Sequence, residues 1–240
     1  MSSDPRGSLY LLPNTLGDAA LEAVIPTAVL NRTRSLDYII AENPKAARSF
    51  LKRIATTRPL QSIRIERLDH NTKAGDIPAL LEPLLAGSDA GLLSEAGLPA
   101  VADPGASLVR LAHERNIRVV PLSGPSSILL ALAASGLDGQ RFAFHGYLPV
   151  ADAELVSAVK ELERQSRRLH QTQILIETPY RNERTLAAML RTLDPVTLVC
   201  VAADLTLESE SVHTQRVTAW RKETPKLKGR PTVFLFLTEK

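Results

Sequence analysis

Residues 92–105 of this chain read Leu-Leu-Ser-Glu-Ala-Gly-Leu-Pro-Ala-Val-Ala-Asp-Pro-Gly, and this stretch decides the fold. An apolar, strand-like run at 90–93 leads into it, and an amphipathic helix pattern beginning at Leu108 follows it. In open α/β sheets, a strand that ends in a small-residue loop and restarts as a helix exposes backbone groups to a ligand. Asp103 before Pro104 predicts a helix N-cap with proline at the first helical position. The stretch therefore predicts a ligand-facing loop, although an ordinary strand–loop–helix connection has the same pattern.

Apolar runs alternate with helical patterns on both sides of this loop. Strands are predicted at 9–12, 38–41, 62–68, 90–93 and 118–121, with helices at 23–30, 46–54, 77–85 and 108–113 between or after them. Such alternation is typical of a mostly parallel sheet that is covered by helices on both faces. The first half of the chain therefore predicts an N-terminal α/β domain over residues 1–120.

Residues 121–125, Pro-Leu-Ser-Gly-Pro, break any regular element and form the predicted linker. Beyond the linker, a second α/β domain is predicted over residues 126–240. Its predicted helices lie near 127–135, 155–162 and 186–193, and its predicted strands at 173–176, 196–202, 211–220 and 232–237. A turn-rich connector joins the last two strands, so we expect them to form an antiparallel pair and the sheet to be mixed.

Composition excludes several classes of protein. The longest apolar run, at 128–134, is too short to cross a bilayer, and residues 1–7 carry no secretory apolar segment. The single cysteine, Cys200, excludes an intramolecular disulfide, and the five histidines show no metal-ligand spacing, so no metal is expected. No G-x-G fingerprint, P-loop or G-x-S-x-G elbow is present. We therefore expect a cytoplasmic protein.

The net charge of +3 indicates little about the partners of the protein. Basic residues do cluster, at 32–34, 48–58, 164–168 and 221–230. Such clusters suit phosphate backbones, but they are also typical of solvated helix faces. An aromatic content of 4% argues against a stacking platform for single-stranded nucleic acid.

Further short motifs follow one another along the chain. They lie at 11–18 (Leu-Leu-Pro-Asn-Thr-Leu-Gly-Asp), 41–43 (Ala-Glu-Asn), 120–127 (Val-Pro-Leu-Ser-Gly-Pro-Ser-Ser), 144–149 (Phe-His-Gly-Tyr-Leu-Pro), 177–181 (Glu-Thr-Pro-Tyr-Arg) and 203–206 (Ala-Asp-Leu-Thr). With the loop at 92–105, they resemble the tetrapyrrole-methylase superfamily, two-domain methyltransferases that use S-adenosylmethionine (SAM). The chain is most similar to the branch that 2′-O-methylates a cytidine of small-subunit (16S) ribosomal RNA. This resemblance implies a SAM cleft between two α/β domains.

The chain departs from the pattern of that branch at several points. The loop usually reads SDAGTPxxSDPG, whereas here Glu95 replaces Asp, Leu98 replaces Thr and Ala102 replaces Ser. The usual acidic-Asp-Thr-Arg sequence is Glu42-Asn43-Pro44-Lys45, and the usual Arg-Glu-Leu-Thr-Lys is 203–207, Ala-Asp-Leu-Thr-Leu. We also expect the short form of the enzyme, without a C-terminal extension. These departures affect the RNA assignment more than the SAM assignment, because the lost groups contact the acceptor.

Methyl transfer from a sulfonium needs alignment and exclusion of water more than reactive side chains. The resemblance accordingly implies loops rich in small residues as the SAM site. The predicted SAM contacts are Pro13, Leu93, Ser94, Glu95, Ala96, Gly97, Pro99, Gly124, Pro125, Ser126, Ser127, Glu177, Thr178, Pro179, Ala202, Asp204 and Leu205. The predicted acceptor contacts are Gly17, Lys45, Arg48 and Asp103.

A hydroxyl acceptor would also benefit from a positioned base, and Glu42 is the candidate. An equally good interpretation is a carboxylate that stabilises the helix N-terminus beside it. Glu95 is either a ligand contact or a group that hydrogen-bonds its own turn. Asp103 fits an N-cap better than a base. His145 fits packed structure better than catalysis.

Three functions remain open from the sequence. The first is a methyltransferase for structured RNA, by resemblance acting on a ribose 2′-hydroxyl of small-subunit rRNA. The second is a small-molecule methyltransferase of the tetrapyrrole type, and the third is a catalytically weak SAM-binding or RNA-binding module. A homodimer is expected by resemblance. Apolar residues on both faces of 232–237 agree with a dimer contact, but also with a strand at the centre of a sheet.

Overall fold

The computed structural model of the chain describes residues 6–238. The chain divides into two compact units, of which the first ends at Ser126 and the second begins at Ser127. The residues of the predicted linker, 121–125, therefore belong to the end of the first unit.

The first unit contains a parallel sheet of five strands in the order β3-β2-β4-β1-β5. Its strands are β1 (Ser8–Leu12), β2 (Tyr38–Ala41), β3 (Arg64–Arg67), β4 (Ala90–Leu93) and β5 (Arg118–Pro121). Its helices are α1 (Leu21–Val24), α2 (Thr27–Ser35), α3 (Pro44–Arg53), α4 (Ile77–Leu80), α5 (Glu82–Leu85) and α6 (Ala106–Glu114), and a 3₁₀ turn spans Leu60–Ser62. The parallel sheet predicted from the alternation is confirmed.

Apolar residues cover both faces of this sheet. Ile39 on one face packs in a cluster with Phe50 of α3, while Ile40 on the other face packs in a cluster with Leu108 of α6. All residues of β2 and β4 are buried, since helices lie on both sides of them.

Two predicted helices are each divided at a proline. The helix predicted over 23–30 is two helices, because Ile25 before Pro26 adopts an extended conformation. The helix predicted over 77–85 is likewise α4 and α5. Pro83 lacks the N–H that a continuous helix would donate to Ala79.

The prediction that Asp103 caps a helix is wrong. Helix α6 begins at Ala106, and the residue at its N-cap is Gly105 with a φ of 138°. A side chain at Gly105 would place its Cβ 2.8 Å from Leu92 Cδ2, so the chain needs glycine to approach β4 this closely. Two residues of this loop, Ala100 and Ala102, also have positive φ, so the loop takes a tight path before α6.

The second unit contains a mixed sheet of five strands in the order β6-β7-β10-β8-β9. Its strands are β6 (Phe142–Phe144), β7 (Thr172–Glu177), β8 (Leu198–Ala203), β9 (Ser211–Arg216) and β10 (Thr232–Leu237). Its helices are α7 (Ser127–Ser135), α8 (Asp152–Leu169), α9 (Asn182–Thr192) and α10 (Val217–Trp220). Among the described strands of this unit, only β6 and β7 pair in parallel, which confirms the predicted mixed sheet.

The antiparallel pair predicted at the end of the chain is wrong. Strand β10 pairs with β7 and β8, whereas β9 pairs with β8. All residues of β10 are buried, so its two apolar faces place it at the centre of the sheet, and the polar β9 lies at the edge. The predicted strand 211–220 also ends early, at Arg216, because Trp220 folds back in α10 and donates its indole N–H to the Val199 carbonyl at 2.9 Å.

Candidate active site

The carboxyl ends of three neighbouring strands of the first unit meet at one place. Leu93 of β4 is in register with both Leu12 of β1 and Ala41 of β2. The first residues beyond these strands, Pro13, Glu42 and Ser94, are therefore neighbours along the edge of the sheet. The connections that leave β1 and β4 run in opposite directions across the sheet, and such a switch point is where open α/β sheets bind ligands.

The loops after β1 and β4 are joined by an antiparallel bridge between Asn14 and Gly97. The two backbone bonds of this bridge measure 2.9 and 3.2 Å. The Asn14 side chain adds two more hydrogen bonds, because its Nδ2 donates to the backbone carbonyls of Ser94 at 3.1 Å and Glu95 at 2.9 Å. Asn14 thus fixes the path of the loop at 94–99. Asn14 is not among the predicted contacts, although it lies in the motif at 11–18.

Backbone geometry explains two glycines of the predicted site. Gly97 has a φ of 66°, a conformation that side-chain-bearing residues adopt rarely. A Cβ on Gly124 would lie 2.1 Å from Pro13 Cβ, so the loops after β5 and β1 touch here. Pro125 and Ser126 are buried next to this contact, and Ser127 begins α7 in the second unit.

Two departures from the usual family pattern, Asn43 and Glu95, contact each other. The Asn43 Nδ2 donates to Glu95 Oε1 at 2.8 Å. The Oδ1 of the same amide accepts from the backbone N–H groups of Lys45 and Ala46, so Asn43 also caps α3. Glu95 is exposed and is held in place by a neighbouring loop, beyond its own turn.

Three carboxylates share this edge of the sheet. Partial burial and the nearby charges of Asp103 and Glu95 raise the pKa of Glu42. Burial and the charge of Glu95 also raise the pKa of Asp103, against a hydrogen bond from Ser94 that lowers it. A carboxylate with a raised pKa is better suited to accept a proton near neutral pH than an ordinary one. The structure therefore brings Glu42, Ser94, Glu95 and Asp103 together at this edge of the sheet.

The remaining predicted acceptor contacts lie around this cluster. Gly17 is half-buried in the loop after β1, and Lys45 and Arg48 are exposed on α3. Leu93, Gly97 and Pro99 are buried in β4 and the loop after it, whereas Ala96 is exposed.

In the second unit, Glu177 ends β7 and is buried. Its carboxylate accepts hydrogen bonds from the Thr178 N–H at 2.7 Å and from the Thr185 hydroxyl at 3.2 Å, and it pairs with Arg181 at 3.0 Å. These partners hold the segment that carries Thr178 and Pro179, both half-buried. Glu177 shapes this loop through contacts within its own unit.

Asp204 follows β8 in the same unit and has a positive φ of 53°. Its Oδ2 accepts from Arg230 Nε at 2.6 Å and from the Ser209 hydroxyl at 2.9 Å. Ala202 and Leu205, the other predicted contacts of this region, are buried. Arg230 anchors the loop, and the sequence showed it only as one member of a basic cluster.

His145 does not belong to either group of residues. Its Nε2 lies 2.6 Å from Gln173 Oε1 on the neighbouring strand β7, which agrees with packed structure. Within residues 6–238, no group of three or more His, Cys, Asp or Glu could hold a metal ion. No helix in this described part of the chain is long and apolar enough to cross a membrane.

Comparison with known sequences identifies relatives along most of the chain. The model of the tetrapyrrole (corrin/porphyrin) methylases matches residues 22–219. A protein named ribosomal RNA small subunit methyltransferase I from Escherichia coli O157:H7 is 32% identical over 225 residues, 92% of this chain and 74% of that protein. The protein of the same name from Synechocystis is 34% identical over 83% of this chain and 67% of its own length. The protein of the same name from Streptococcus pyogenes serotype M6 is 32% identical, over 93% of this chain and 74% of its own length.

Solved structures show the same fold at lower identity. The methyltransferase CobJ superposes with a TM-score of 0.62 at 17% identity, over 97% of this chain and 94% of its own. Cobalt precorrin-4 methyltransferase CbiF superposes with a TM-score of 0.57 at 17% identity, over 98% of this chain and 97% of its own.

Proposed function

The chain belongs to the tetrapyrrole (corrin/porphyrin) methylases, and from this premise we propose that it methylates the RNA of the small ribosomal subunit, at a ribose 2′-hydroxyl. Membership makes it a SAM-dependent methyltransferase. The observation that carries the choice of acceptor is the 32–34% identity to rRNA methyltransferases over most of the chain. The tetrapyrrole enzymes share the fold at 17% identity, a likeness that does not extend to the acceptor.

The residues at the carboxyl edge of the first sheet fit a cationic methyl donor. Glu42, Glu95 and Asp103 lie close enough for their charges to act on one another, and their negative potential favours a cation at this edge. The loop at 94–99, fixed by Asn14, supplies backbone donors and acceptors for the polar ends of the molecule. SAM would supply an already activated methyl group at this site.

Glu42 would act on the acceptor. It is only partly exposed at the end of β2, and its raised pKa makes it a better base than an ordinary glutamate. We propose that it accepts the proton that the acceptor hydroxyl loses. Gly17 and Asp103 would border the acceptor, while Glu177 and Asp204 keep the loops of the second unit in shape.

The decisive experiment is incubation with labelled SAM and assembled small ribosomal subunits from cells that lack the methylation. We expect label in the RNA, released as a 2′-O-methylated nucleoside on digestion. A porphyrinoid acceptor serves as the parallel assay. Turnover on the porphyrinoid without label in RNA would contradict the RNA assignment, and binding of SAM without any turnover would contradict both.

We also propose that the enzyme is a cytoplasmic homodimer. A ribosomal substrate supports the location. Exposed apolar side chains in the second unit support the dimer: Val150 is 62% and Tyr180 77% exposed, and their segments are linked by Arg181, which donates to the Pro149 carbonyl at 3.3 Å. Light scattering should give twice the chain mass of 26.1 kDa, and a mass near that of one chain would contradict the dimer.

A further inference from the structure

The outward face of α3 carries a row of three cations. Lys45, Arg48 and Lys52 are spaced three and four residues apart, so they lie along one side of the helix. All three are exposed, while Ala47, Phe50 and Leu51 bury the opposite side. The row is about 10 Å long, at 1.5 Å per residue.

These cations have no compensating charge. Several arginines of the first unit are paired with carboxylates, such as Arg58 with Asp37 at 3.2 Å and Arg64 with Glu66 at 2.9 Å. In contrast, within residues 6–238 the charged groups of Lys45, Arg48 and Lys52 form no hydrogen bond or ion pair, and α3 contains no acidic residue.

Helix stability does not account for the row. Lys45 lies in the first turn of α3, where the helix dipole disfavours a positive charge. Lys52 in the last turn is favoured by the dipole, so the two ends of the row have opposite effects on the helix. The helix dipole therefore gives the three cations no shared role.

The row begins at the candidate active site. Helix α3 starts directly after Glu42 and Asn43, and Asn43 both caps it and holds Glu95. An extended polyanion that reaches Glu42 can therefore follow α3 away from the site, past three cations in succession.

We propose that Lys45, Arg48 and Lys52 bind the phosphate backbone of the RNA acceptor next to the methylated nucleotide. This inference rests on the proposed function, because it takes the acceptor to be RNA. Contacts with phosphates position a strand without reading its sequence. The row thus supplies affinity and alignment, and the choice of nucleotide lies elsewhere.

The test compares the wild-type protein with the triple variant K45A/R48A/K52A. Binding of a fluorescein-labelled single-stranded RNA is measured by anisotropy over a range of salt concentrations. Each phosphate contact contributes about −0.7 to the slope of log K against log salt for single strands, so the triple variant should lose about 2 from the slope. Arg110 and Lys160 are exposed on other helices, and R110A/K160A is the control that should keep the wild-type slope.

Three further measurements separate the outcomes. Thermal unfolding and binding of S-adenosylhomocysteine, the demethylated product, should be unchanged in the triple variant, and its KM for small subunits should rise at least tenfold. An unchanged slope and an unchanged KM would overturn the proposed role of the row while leaving the proposed RNA methylation intact. A reduced slope without methylation of subunits by the wild type would support the row and contradict the proposed function. Absence of RNA binding by the wild-type protein would also overturn the proposed role of the row.

Discussion

At the scale of single residues, the paired behaviour of Glu42 and Asp103 is the most informative feature. Both carboxyl groups have pKa values raised by burial and by neighbouring negative charge. Burial of charge without a cation opposes folding, so such a cluster costs stability. This cost agrees with the proposed roles of the cluster in binding a cationic ligand and in proton transfer.

Glu42→Gln should remove the proposed base. We expect kcat to fall by roughly 10²–10⁴, with the affinity for S-adenosylhomocysteine nearly unchanged. Because the base must be ionised, wild-type kcat should decline as pH falls through the raised pKa of Glu42, at a higher pH than for an ordinary glutamate. Glu22→Gln, at an exposed position of α1, is the control. Full activity of Glu42→Gln would contradict the role.

Asp103→Asn should stabilise the protein at neutral pH. The folded state raises the pKa of Asp103. Protonation therefore favours folding below the unfolded pKa, and this benefit is lost as pH rises through the raised value. We expect the variant to melt roughly 1–3 °C higher at pH 7 and equally at about pH 4. Asp76→Asn, at an exposed position, should change neither value, and a wild-type melting temperature for Asp103→Asn at pH 7 would refute the prediction.

At the scale of elements, the loops after β1, β2 and β4 form one hydrogen-bonded assembly. Asn14 joins the first loop to the third, and Asn43 joins the second to the third. The ligand-facing loop is therefore held from two sides and owes its shape to its neighbours. Such preorganisation lowers the free energy lost when a ligand is bound.

Asn14→Asp tests this assembly with almost no change in volume. The variant loses the Nδ2 donor and places carboxylate oxygen against the carbonyls of Ser94 and Glu95. We expect a loss of about 1–3 kcal/mol in the free energy of unfolding, together with weaker binding of S-adenosylhomocysteine. Asn31→Asp keeps the Oδ1 that accepts from Arg34, so it should be neutral in both assays. Equal effects of the two variants would argue against the assembly.

The sequence predicted elements better than their ends and neighbours. Strand β2 is predicted correctly because a short apolar run bounded by polar residues is typical of a strand buried on both faces. The local sequence pattern does not predict which strands pair with β10, because its pairing with β7 and β8 depends on contacts between residues distant in sequence. In the site, Glu95 was recognisable from its motif. Its contact with Asn43, like the role of Asn14, requires the register of the sheet.

At the scale of the whole molecule, each unit has its own sheet and core. In the second unit, β10 carries hydrogen bonds on both sides and is buried throughout, whereas β9 is a polar edge strand. We therefore expect β10 to resist local opening more strongly than β9.

Hydrogen exchange measured by mass spectrometry should show this distribution. We expect the amides of β10 to exchange most slowly in the second unit, and those of β9 and β6 to exchange faster. Peptides from β8, which is paired on both sides, are the internal reference. Equal protection of β9 and β10 would contradict the central position of β10.

The Asn43–Glu95 contact also couples the residues that the two positions tolerate. The usual pattern has aspartate at both positions, and this chain has an amide at one and a longer carboxylate at the other. An aspartate at position 43 would bring a second negative charge against Glu95, whereas the amide of Asn43 donates a hydrogen bond to this longer carboxylate. Because Asn and Asp both cap helices well, α3 itself accepts either residue at position 43. We therefore expect the two positions to be epistatic, since the cost of Asp at position 43 depends on the length of the carboxylate at position 95.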